Sequence, residues 1–284
     1  MITTSMQLKA KIRNLSGGDN DRALVLIRTF IMERFLERVV LSPYRDKFIL
    51  KGGMLVAAMV GLEARATMDI DTTMQSLPLT MQDARKVIDD ILQIDVQDGV
   101  TFTVTRASEI MEEHDYPGIR FMLEASLDNL RQAIKIDIST GDVITPHPVP
   151  YSYRLMFEDR VISLWSYNLE TLLGEKMETI MARETANTRM RDFYDIHVLT
   201  QQATIDYKVL HDAFMATSLK RNTTDMLPRF DAILDEIRSD PAMETMWNKY
   251  RRDNFFVGEL TWAEVNESVK RLKAAALDKT QHQG

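Results

Sequence analysis

The sequence predicts an α/β (α+β) protein in which a mixed sheet flanked by helices is followed by a helical C-terminal domain. Short runs of alternating apolar and polar residues, typical of strands, recur up to about residue 167. From Leu169 onward, apolar residues recur instead at the three- and four-residue spacing of helices. We therefore expect two domains, residues 1–165 and residues 166–284.

The first expected elements alternate between helix and strand. Residues 21–41 predict a helix because their apolar residues recur at three- and four-residue steps. Residues 48–50 are a short apolar strand, and Gly52-Gly53 break the chain before a buried helix over Met54–Val60.

The middle of the chain predicts most of the sheet. Residues 65–74 are expected to form a strand and residues 80–94 an amphipathic helix. Polar or glycine-containing linkers then separate three strands, as in an antiparallel meander: Val100–Thr105, Ile119–Leu127 and Ala133–Thr140.

The remainder predicts one more strand and then helices. Pro146, Pro148 and Pro150 require an extended connection, and Val161–Tyr167 has the composition of a short strand. The helices are expected at 169–184, 190–202, 206–218, 224–239 and 261–276.

Composition excludes several classes of protein. With no cysteine in 284 residues, a disulfide framework, a thiolate zinc site and a cysteine nucleophile are excluded. A net charge of −7 argues against a protein that coats DNA by bulk electrostatics. No apolar stretch approaches the roughly 18 residues of a membrane helix, and the first residues lack a signal peptide's apolar region. We expect a cytoplasmic protein.

The first candidate site residues lie in the predicted strand 65–74. Because alternate side chains of a strand share a face, Arg65, Thr67, Asp69 and Asp71 point the same way. Two carboxylates at this spacing, roughly 6.5–7 Å apart at Cα, suit a divalent cation such as Mg²⁺, which prefers oxygen ligands. An exposed strand with a charged outer face is the alternative, and the pair alone does not decide between them.

Gly52-Gly53 adds a possible phosphate site. Glycines between a strand and a helix let backbone N–H groups approach a phosphate beside a helix N-terminus, which favours anions. Lys51 precedes them. A tight turn without a ligand is the alternative, but the pair of glycines followed by the acidic pair favours a phosphate cradle beside a metal site.

Residues 133–140 supply a third acid. Ile134, Ile136 and Ile138 alternate with Lys135, Asp137 and Ser139, which places Asp137 on the polar face of its strand. A third carboxylate is what a two-metal phosphoryl-transfer site requires, where it can bind an ion and accept the proton of the attacking hydroxyl. A solvated strand face is again the alternative.

The helical half places charges on an apolar stripe. Lys176 lies on the inward face of its predicted helix, with Arg183 two turns further along, and a buried charge needs a partner. Asp192 and Asp195 share an inward face of the next helix and could pair with either cation. A salt-bridge network between helices and a helical half that closes over a nucleotide remain equal alternatives.

Together these four groups resemble the AbiEii/AbiGii toxin family of nucleotidyltransferases, part of the DNA polymerase β-like superfamily and the toxin half of bacterial type IV toxin–antitoxin (abortive infection) systems. The resemblance covers residues 48–200 in the same order, whereas residues 203–284 match no motif. The matching residues are Lys51-Gly52-Gly53, Arg65, Thr67, Asp69, Asp71, Lys135, Asp137, Lys176, Arg183, Arg191, Asp192 and Asp195.

The resemblance implies transfer of a nucleoside monophosphate from an NTP to an RNA acceptor, the tRNA 3′ end in related toxins, on a polymerase β-like sheet. Mg²⁺ or Mn²⁺ would be bound by Asp69, Asp71 and Asp137. Lys176 would balance the triphosphate charge, and Asp192 or Asp195 would orient Lys176 or contact the nucleotide. The residues binding the NTP would be Lys51, Gly52, Gly53, Arg65, Thr67, Lys135 and Arg183.

The resemblance also bears on partners. The cognate antitoxin of such systems is usually a transcriptional repressor, so a stable complex with the toxin is not implied. Two other functions stay open: an NTP-binding toxin that inhibits growth without nucleotide transfer, and a small-molecule nucleotidyltransferase that would confer resistance instead of growth arrest.

Overall fold

The computed structural model describes residues 1–75, 80–112 and 116–278, and it divides into two compact units. The first, the sheet unit, comprises Met1–Ala58, Ala66–Asp142 and Val149–Ser166. The second, the helical unit, comprises Tyr167–Gly284 with two short segments from earlier in the chain, Met59–Arg65 and Val143–Pro148.

The strands of the sheet unit form one mixed, seven-stranded sheet within the described residues, in the order β3-β4-β5-β2-β1-β7-β6. The strands are β1 (Phe48–Lys51), β2 (Asp69–Met74), β3 (Val100–Glu112), β4 (Tyr116–Leu127), β5 (Leu130–Thr140), β6 (Val149–Arg154) and β7 (Val161–Ser166). The expected antiparallel meander is confirmed as β3-β4-β5. The pairs β2–β5 and β1–β7 are parallel.

The helices of the sheet unit are α1 (Ser5–Ser16), α2 (Asn20–Leu41), α3 (Gly52–Val60) and α4 (Met81–Leu92). Helices α2 and α4 pack against the sheet. Ile134, Ile136 and Ile138 of β5 are buried, so the alternation of the strand turns Lys135 and Asp137 to the opposite face. This face carries the three acids predicted for the site, Asp69, Asp71 and Asp137.

The helices from residue 169 onward are α5 (Leu169–Arg183), α6 (Met190–Gln202), α7 (Tyr207–Lys220), α8 (Phe230–Ser239), α9 (Pro241–Asp253) and α10 (Trp262–Lys273). Their core contains aromatic pairs, among them Phe193 and Trp262 with ring centroids 5.0 Å apart. Gly174 lets α5 approach α7, since a Cβ there would lie 3.0 Å from the Phe214 amide nitrogen. Among the described helices, each is too short or too polar to cross a bilayer.

Several predicted element boundaries are wrong. The strand predicted over Val100–Thr105 continues to Glu112, and the strands predicted to begin at Ile119 and Ala133 begin at Tyr116 and Leu130. The second strand begins at Asp69 instead of residue 65, because the chain leaving α3 turns at Gly61 and the Arg65 amide donates to the Gly61 carbonyl at 3.0 Å. The helix predicted over 224–239 is split, with a 3₁₀ turn over Thr224–Arg229 preceding α8.

The sequence analysis missed three elements. Helix α1 begins with a capping box formed by Thr4 and Gln7, and α9 begins with Pro241 directly after the N-cap Asp240. Strand β6 contains Pro150. Proline has no N–H to donate to a neighbouring strand, and β6 tolerates it because it lies at the edge of the sheet.

Candidate active site

Three acidic residues converge on the polar face of β2 and β5. The two strands run parallel, with Asp69 opposite Lys135 and Asp71 opposite Asp137. Paired residues share a face of the sheet, and each of the three carboxylates offers an oxygen within 4.8 Å of the others. Asp69, Asp71 and Asp137 therefore form one cluster, called the acid triad below.

Two cations contact the acid triad. Lys135 Nζ lies 2.6 Å from Asp69 Oδ2 and 3.6 Å from Asp137 Oδ2. Arg120 of β4 donates through Nε and a terminal nitrogen to the two oxygens of Asp137, each at 2.8 Å. Both cations are partly exposed, at 27% for Lys135 and 37% for Arg120.

Thr67 contacts the triad from the loop before β2. Although it lies outside the strand, its hydroxyl is 3.2 Å from Asp69 Oδ1. This places Thr67 beside a proposed metal ligand.

Gly52 and Gly53 open α3 directly against Asp71. The Gly53 amide donates to Asp71 Oδ2 at 3.4 Å. Gly52 has φ +65°, and a Cβ there would lie 2.7 Å from both Cβ and Cγ of Asp71. Glycine is required for this approach, which brings a carboxylate to a helix N-terminus, where negative charge is favoured.

Lys51 ends β1 and is buried. Its Nζ lies 2.6 Å from Asp142 Oδ2, which also accepts from the Ser139 hydroxyl at 2.7 Å. The ion pair ties β1 to the segment after β5.

The residues of the acid triad fit a divalent cation. All three donors are carboxylates, the ligand type preferred by Mg²⁺ and Mn²⁺, and their oxygens lie close enough to share an ion. An ion would also remove the repulsion among three neighbouring negative charges.

A second charged cluster lies within the helical unit. Lys176 Nζ of α5 lies 3.0 Å from Asp192 Oδ1 and 2.7 Å from Asp195 Oδ2, both on α6. Arg65 Nε donates to Asp195 Oδ1 at 2.6 Å, and Arg189 Nε to Asp192 Oδ2 at 2.7 Å. We call these five residues the buried ion cluster.

Both aspartates of the buried ion cluster are fully buried. Burial alone would raise their pKa values, but nearby cations, Arg189 and Lys176 for Asp192 and Arg65 and Lys176 for Asp195, lower both. The two aspartates are therefore held ionised.

Arg65 departs from the face predicted for it. The sequence placed it on a strand with Asp69 and Asp71, whereas it lies before that strand, in the segment that belongs to the helical unit. Besides the bond to Asp195, its guanidinium lies 5.7 Å from the centroid of the Phe256 ring. Arg183 lies at the end of α5, two turns beyond Lys176.

Sequence reasoning missed Arg120 and Arg189. Arg120 lies in a predicted strand, but only the pairing of β4 with β5 places it opposite Asp137. Arg189 immediately precedes α6 and reaches Asp192 three residues later. The three-residue spacing of Arg189 and Asp192 could have indicated this ion pair, since residues three apart at a helix end are neighbours.

One family of known proteins matches most of the chain. A sequence model of the family described as "Nucleotidyl transferase AbiEii toxin, Type IV TA system" matches residues 34–274, most of the chain. Among curated proteins, no sequence matches this chain.

A solved structure shares the fold at low sequence identity. The JHP933 protein from Helicobacter pylori is similar with a TM-score of 0.54 and 14% identity, over 91% of this chain and 95% of that one. An antigenic nucleotidyltransferase-like protein from Paracoccidioides brasiliensis has a TM-score of 0.38 and 12% identity, over 74% of this chain and 92% of that one.

Proposed function

The chain belongs to the AbiEii family of nucleotidyltransferase toxins of type IV toxin–antitoxin systems, and we propose that it transfers a nucleoside monophosphate from an NTP to the 3′ end of a tRNA. The single observation that carries the catalytic part is the convergence of Asp69, Asp71 and Asp137. The tRNA acceptor is proposed from the family resemblance.

In the proposed reaction, the acceptor 3′-hydroxyl oxygen forms a bond to the α-phosphorus of the NTP, and its proton would pass to the carboxylate of Asp137. The bond from that phosphorus to the bridging oxygen of the β-phosphate breaks, and pyrophosphate leaves with the electron pair. Such transfers depend mainly on positioning and on neutralising charge. The acid triad would hold Mg²⁺ or Mn²⁺, and the bound ion would neutralise phosphate charge and lower the pKa of the acceptor hydroxyl.

The protein's own groups position the triphosphate. The amides that open α3 at Gly52 and Gly53 would donate to phosphate oxygens, as helix N-termini do. Lys135, which is partly exposed beside Asp69, would turn to the triphosphate. Thr67 would keep Asp69 oriented through its hydroxyl. Lys51, paired with Asp142, would support the strand end from which the glycines project.

We extend the proposal to the charged residues of the helical unit, on the strength of the family resemblance. Lys176 would balance triphosphate charge, and Asp192 and Asp195 would orient it, since both bind its ammonium group. Arg65 and Arg183 would add positive charge for the NTP. The antitoxin would act without a stable complex with this chain.

The test is incubation of the purified protein with each α-labelled NTP in turn, Mg²⁺ and total tRNA, followed by a denaturing gel. Labelled tRNA is expected with the parent. Asp69→Asn and Asp71→Asn should each lower labelling at least ~100-fold, because loss of an outer-shell partner alone costs up to about that factor. Asp159→Asn is the matched control, since Asp159 is fully exposed and pairs only loosely with Arg154 at 3.3 Å; it should label tRNA like the parent.

Other outcomes identify the alternatives. NTP binding with no labelled product from any nucleotide would indicate a toxin that acts without transfer. Labelling of a small molecule with resistance instead of growth arrest would indicate a small-molecule nucleotidyltransferase. If Asp69→Asn and Asp71→Asn arrest growth as strongly as the parent, the catalytic role of the triad is wrong.

A further inference from the structure

Arg120 stands at one end of a row of charged residues that crosses four strands. It lies opposite Asp137, which lies opposite Asp71, which in turn lies opposite Lys51. Residues directly opposite each other in a sheet share a face and contact their neighbours. The row therefore runs cation, acid, acid, cation, and its two central members belong to the acid triad.

The contact between Arg120 and Asp137 is specific in its geometry. Two parallel hydrogen bonds of 2.8 Å join the guanidinium to both carboxylate oxygens. Such a fork fixes the plane of a carboxylate as well as its position. The other cation at the triad, Lys135, is a point charge and cannot impose a plane.

The fork leaves Asp137 able to bind a metal. An ionised carboxylate offers about four acceptor positions, of which a bidentate arginine uses two. One oxygen of Asp137 lies within 4.8 Å of a ligand oxygen of Asp69 and of Asp71 while Arg120 holds the carboxylate. The side chain of Asp137 is 10% exposed, so few groups besides Arg120 and Lys135 can orient it.

We infer that Arg120 is a positioning residue that holds Asp137 in the orientation in which the acid triad binds its divalent cation. The inference rests on the metal site of the proposed function. For the change in cation binding when Arg120 is removed, it also makes a prediction opposite to that of simple electrostatics. A positive charge near a cation site weakens cation binding, so removing it should strengthen binding; if Arg120 positions a ligand, removing it should weaken binding.

The experiment measures Mn²⁺ binding to the full chain by electron paramagnetic resonance, without NTP or RNA. Arg120→Met is expected to raise the Mn²⁺ dissociation constant about 10- to 100-fold, the usual effect of losing an outer-shell partner of a metal ligand. Arg120→Lys, which keeps the charge but lacks the planar fork, should also weaken binding. Arg131→Met is the control, because Arg131 lies on the neighbouring strand, is 56% exposed and pairs with Glu124 at 3.9 Å; it should bind Mn²⁺ like the parent.

A double variant tests whether Arg120 acts through Asp137. If it does, Arg120→Met should cause no further weakening in an Asp137→Asn background, because the group it orients has already lost its charge. Thermal unfolding of each variant separates lost positioning from lost folding, since the melting temperature should stay near that of the parent.

The results distinguish failure of the positioning role of Arg120 from failure of the proposed metal site. Unchanged or tighter Mn²⁺ binding in Arg120→Met would overturn the positioning role and leave the metal site standing. Parent-like binding in Arg120→Lys, or additive losses in the double variant, would also overturn it. A parent protein that binds no Mn²⁺ would overturn the metal site itself and the role of Arg120 with it.

Discussion

The acid triad and the buried ion cluster are both built from aspartates held by lysine and arginine, but they differ in access to water. The cations of the triad, Arg120 and Lys135, are partly exposed. In the buried ion cluster, Arg189 is also partly exposed, at 36%, but Arg65 and Lys176 are buried and both aspartates are fully buried. Exposed ion pairs contribute little to stability, whereas a buried pair cannot lose one member without a large cost. The triad is therefore suited to ligand exchange and the buried cluster to a fixed arrangement.

The largest expected effect follows directly from this difference. Asp195→Asn should lower the free energy of unfolding of the helical unit by about 3–5 kcal/mol, because it leaves buried positive charge without its partner. Asp71→Asn in the triad should change stability by less than about 1 kcal/mol, since it also relieves repulsion between neighbouring acids. Urea unfolding followed by tryptophan fluorescence measures both, and Trp247 and Trp262 report on the helical unit.

The control for this comparison is Asp235→Asn, an exposed acid of the helical unit paired with Lys270 at 3.3 Å. It should leave the unfolding midpoint nearly unchanged. Equal losses from Asp195→Asn and Asp71→Asn would contradict the distinction between an exchangeable and a fixed cluster.

The next effect concerns the contact between α3 and the triad. Gly52→Ala should destabilise the sheet unit by about 1–3 kcal/mol, because the new Cβ would overlap Asp71 and force it away. It should also lower nucleotide transfer, since Asp71 would leave its position. Circular dichroism melting and the labelling assay measure the two effects.

Gly17→Ala is the matched control, because Gly17 has nearly the same backbone angle, φ +61°, with open space around it. Alanine at this position has the same unfavourable positive φ but overlaps no other residue. Gly17→Ala should therefore reduce stability without reducing nucleotide transfer. Equal effects of both substitutions on transfer would show that the approach to Asp71 is unimportant.

The third expected effect is on the pH dependence of stability, and it should have opposite signs in the two units. Asp192 has a lowered pKa in the folded state, so its contribution to stability is present above its unfolded pKa of about 3.9. That contribution is lost as the pH falls below about 4 toward the folded value. Asp192→Asn should therefore flatten the acid limb of the stability curve.

Glu33 of α2, in the sheet unit, behaves in the opposite way. Burial raises the pKa of Glu33 to about 8, although the hydrogen bond from the Met156 amide acts to lower it. The folded state therefore retains a proton that the unfolded state releases. Stability from this group falls as the pH rises between its unfolded pKa of about 4.3 and 8. Glu33→Gln should remove this decline, as measured by urea unfolding at several pH values. A decline of unchanged slope would show that Glu33 is ionised in the folded protein.

Sequence patterns predicted much of the fold and most of the residue types at the site. The alternation in β5 correctly separated Ile134 and Ile136 from Asp137, because a side chain's face in a strand depends only on local geometry. The same reasoning failed for Arg65, since alternation does not reveal where a strand begins. Gly61 and the turn after it determine that boundary.

Charge contacts could not be predicted to the same extent. The sequence left open whether Asp192 and Asp195 would pair with Lys176 or Arg183, and the packing of α5 on α6 brings both to Lys176. Likewise, the helical period predicted α2 but not that Glu33, Arg34 and Arg38 within it are buried. Burial of a charge depends on partners distant in the chain, which local periodicity does not contain.

The sequence by itself determined the chemistry of this protein: carboxylates without thiols, three acids on strand faces, and a glycine pair ahead of them. The tertiary structure decided how these groups meet. The register between β4, β5 and β2 places Arg120, Asp137 and Asp71 in one row, and a shift of one residue would turn each side chain to the other face. That register is set by backbone hydrogen bonds and core packing between segments far apart in the chain, so no single stretch of sequence records it.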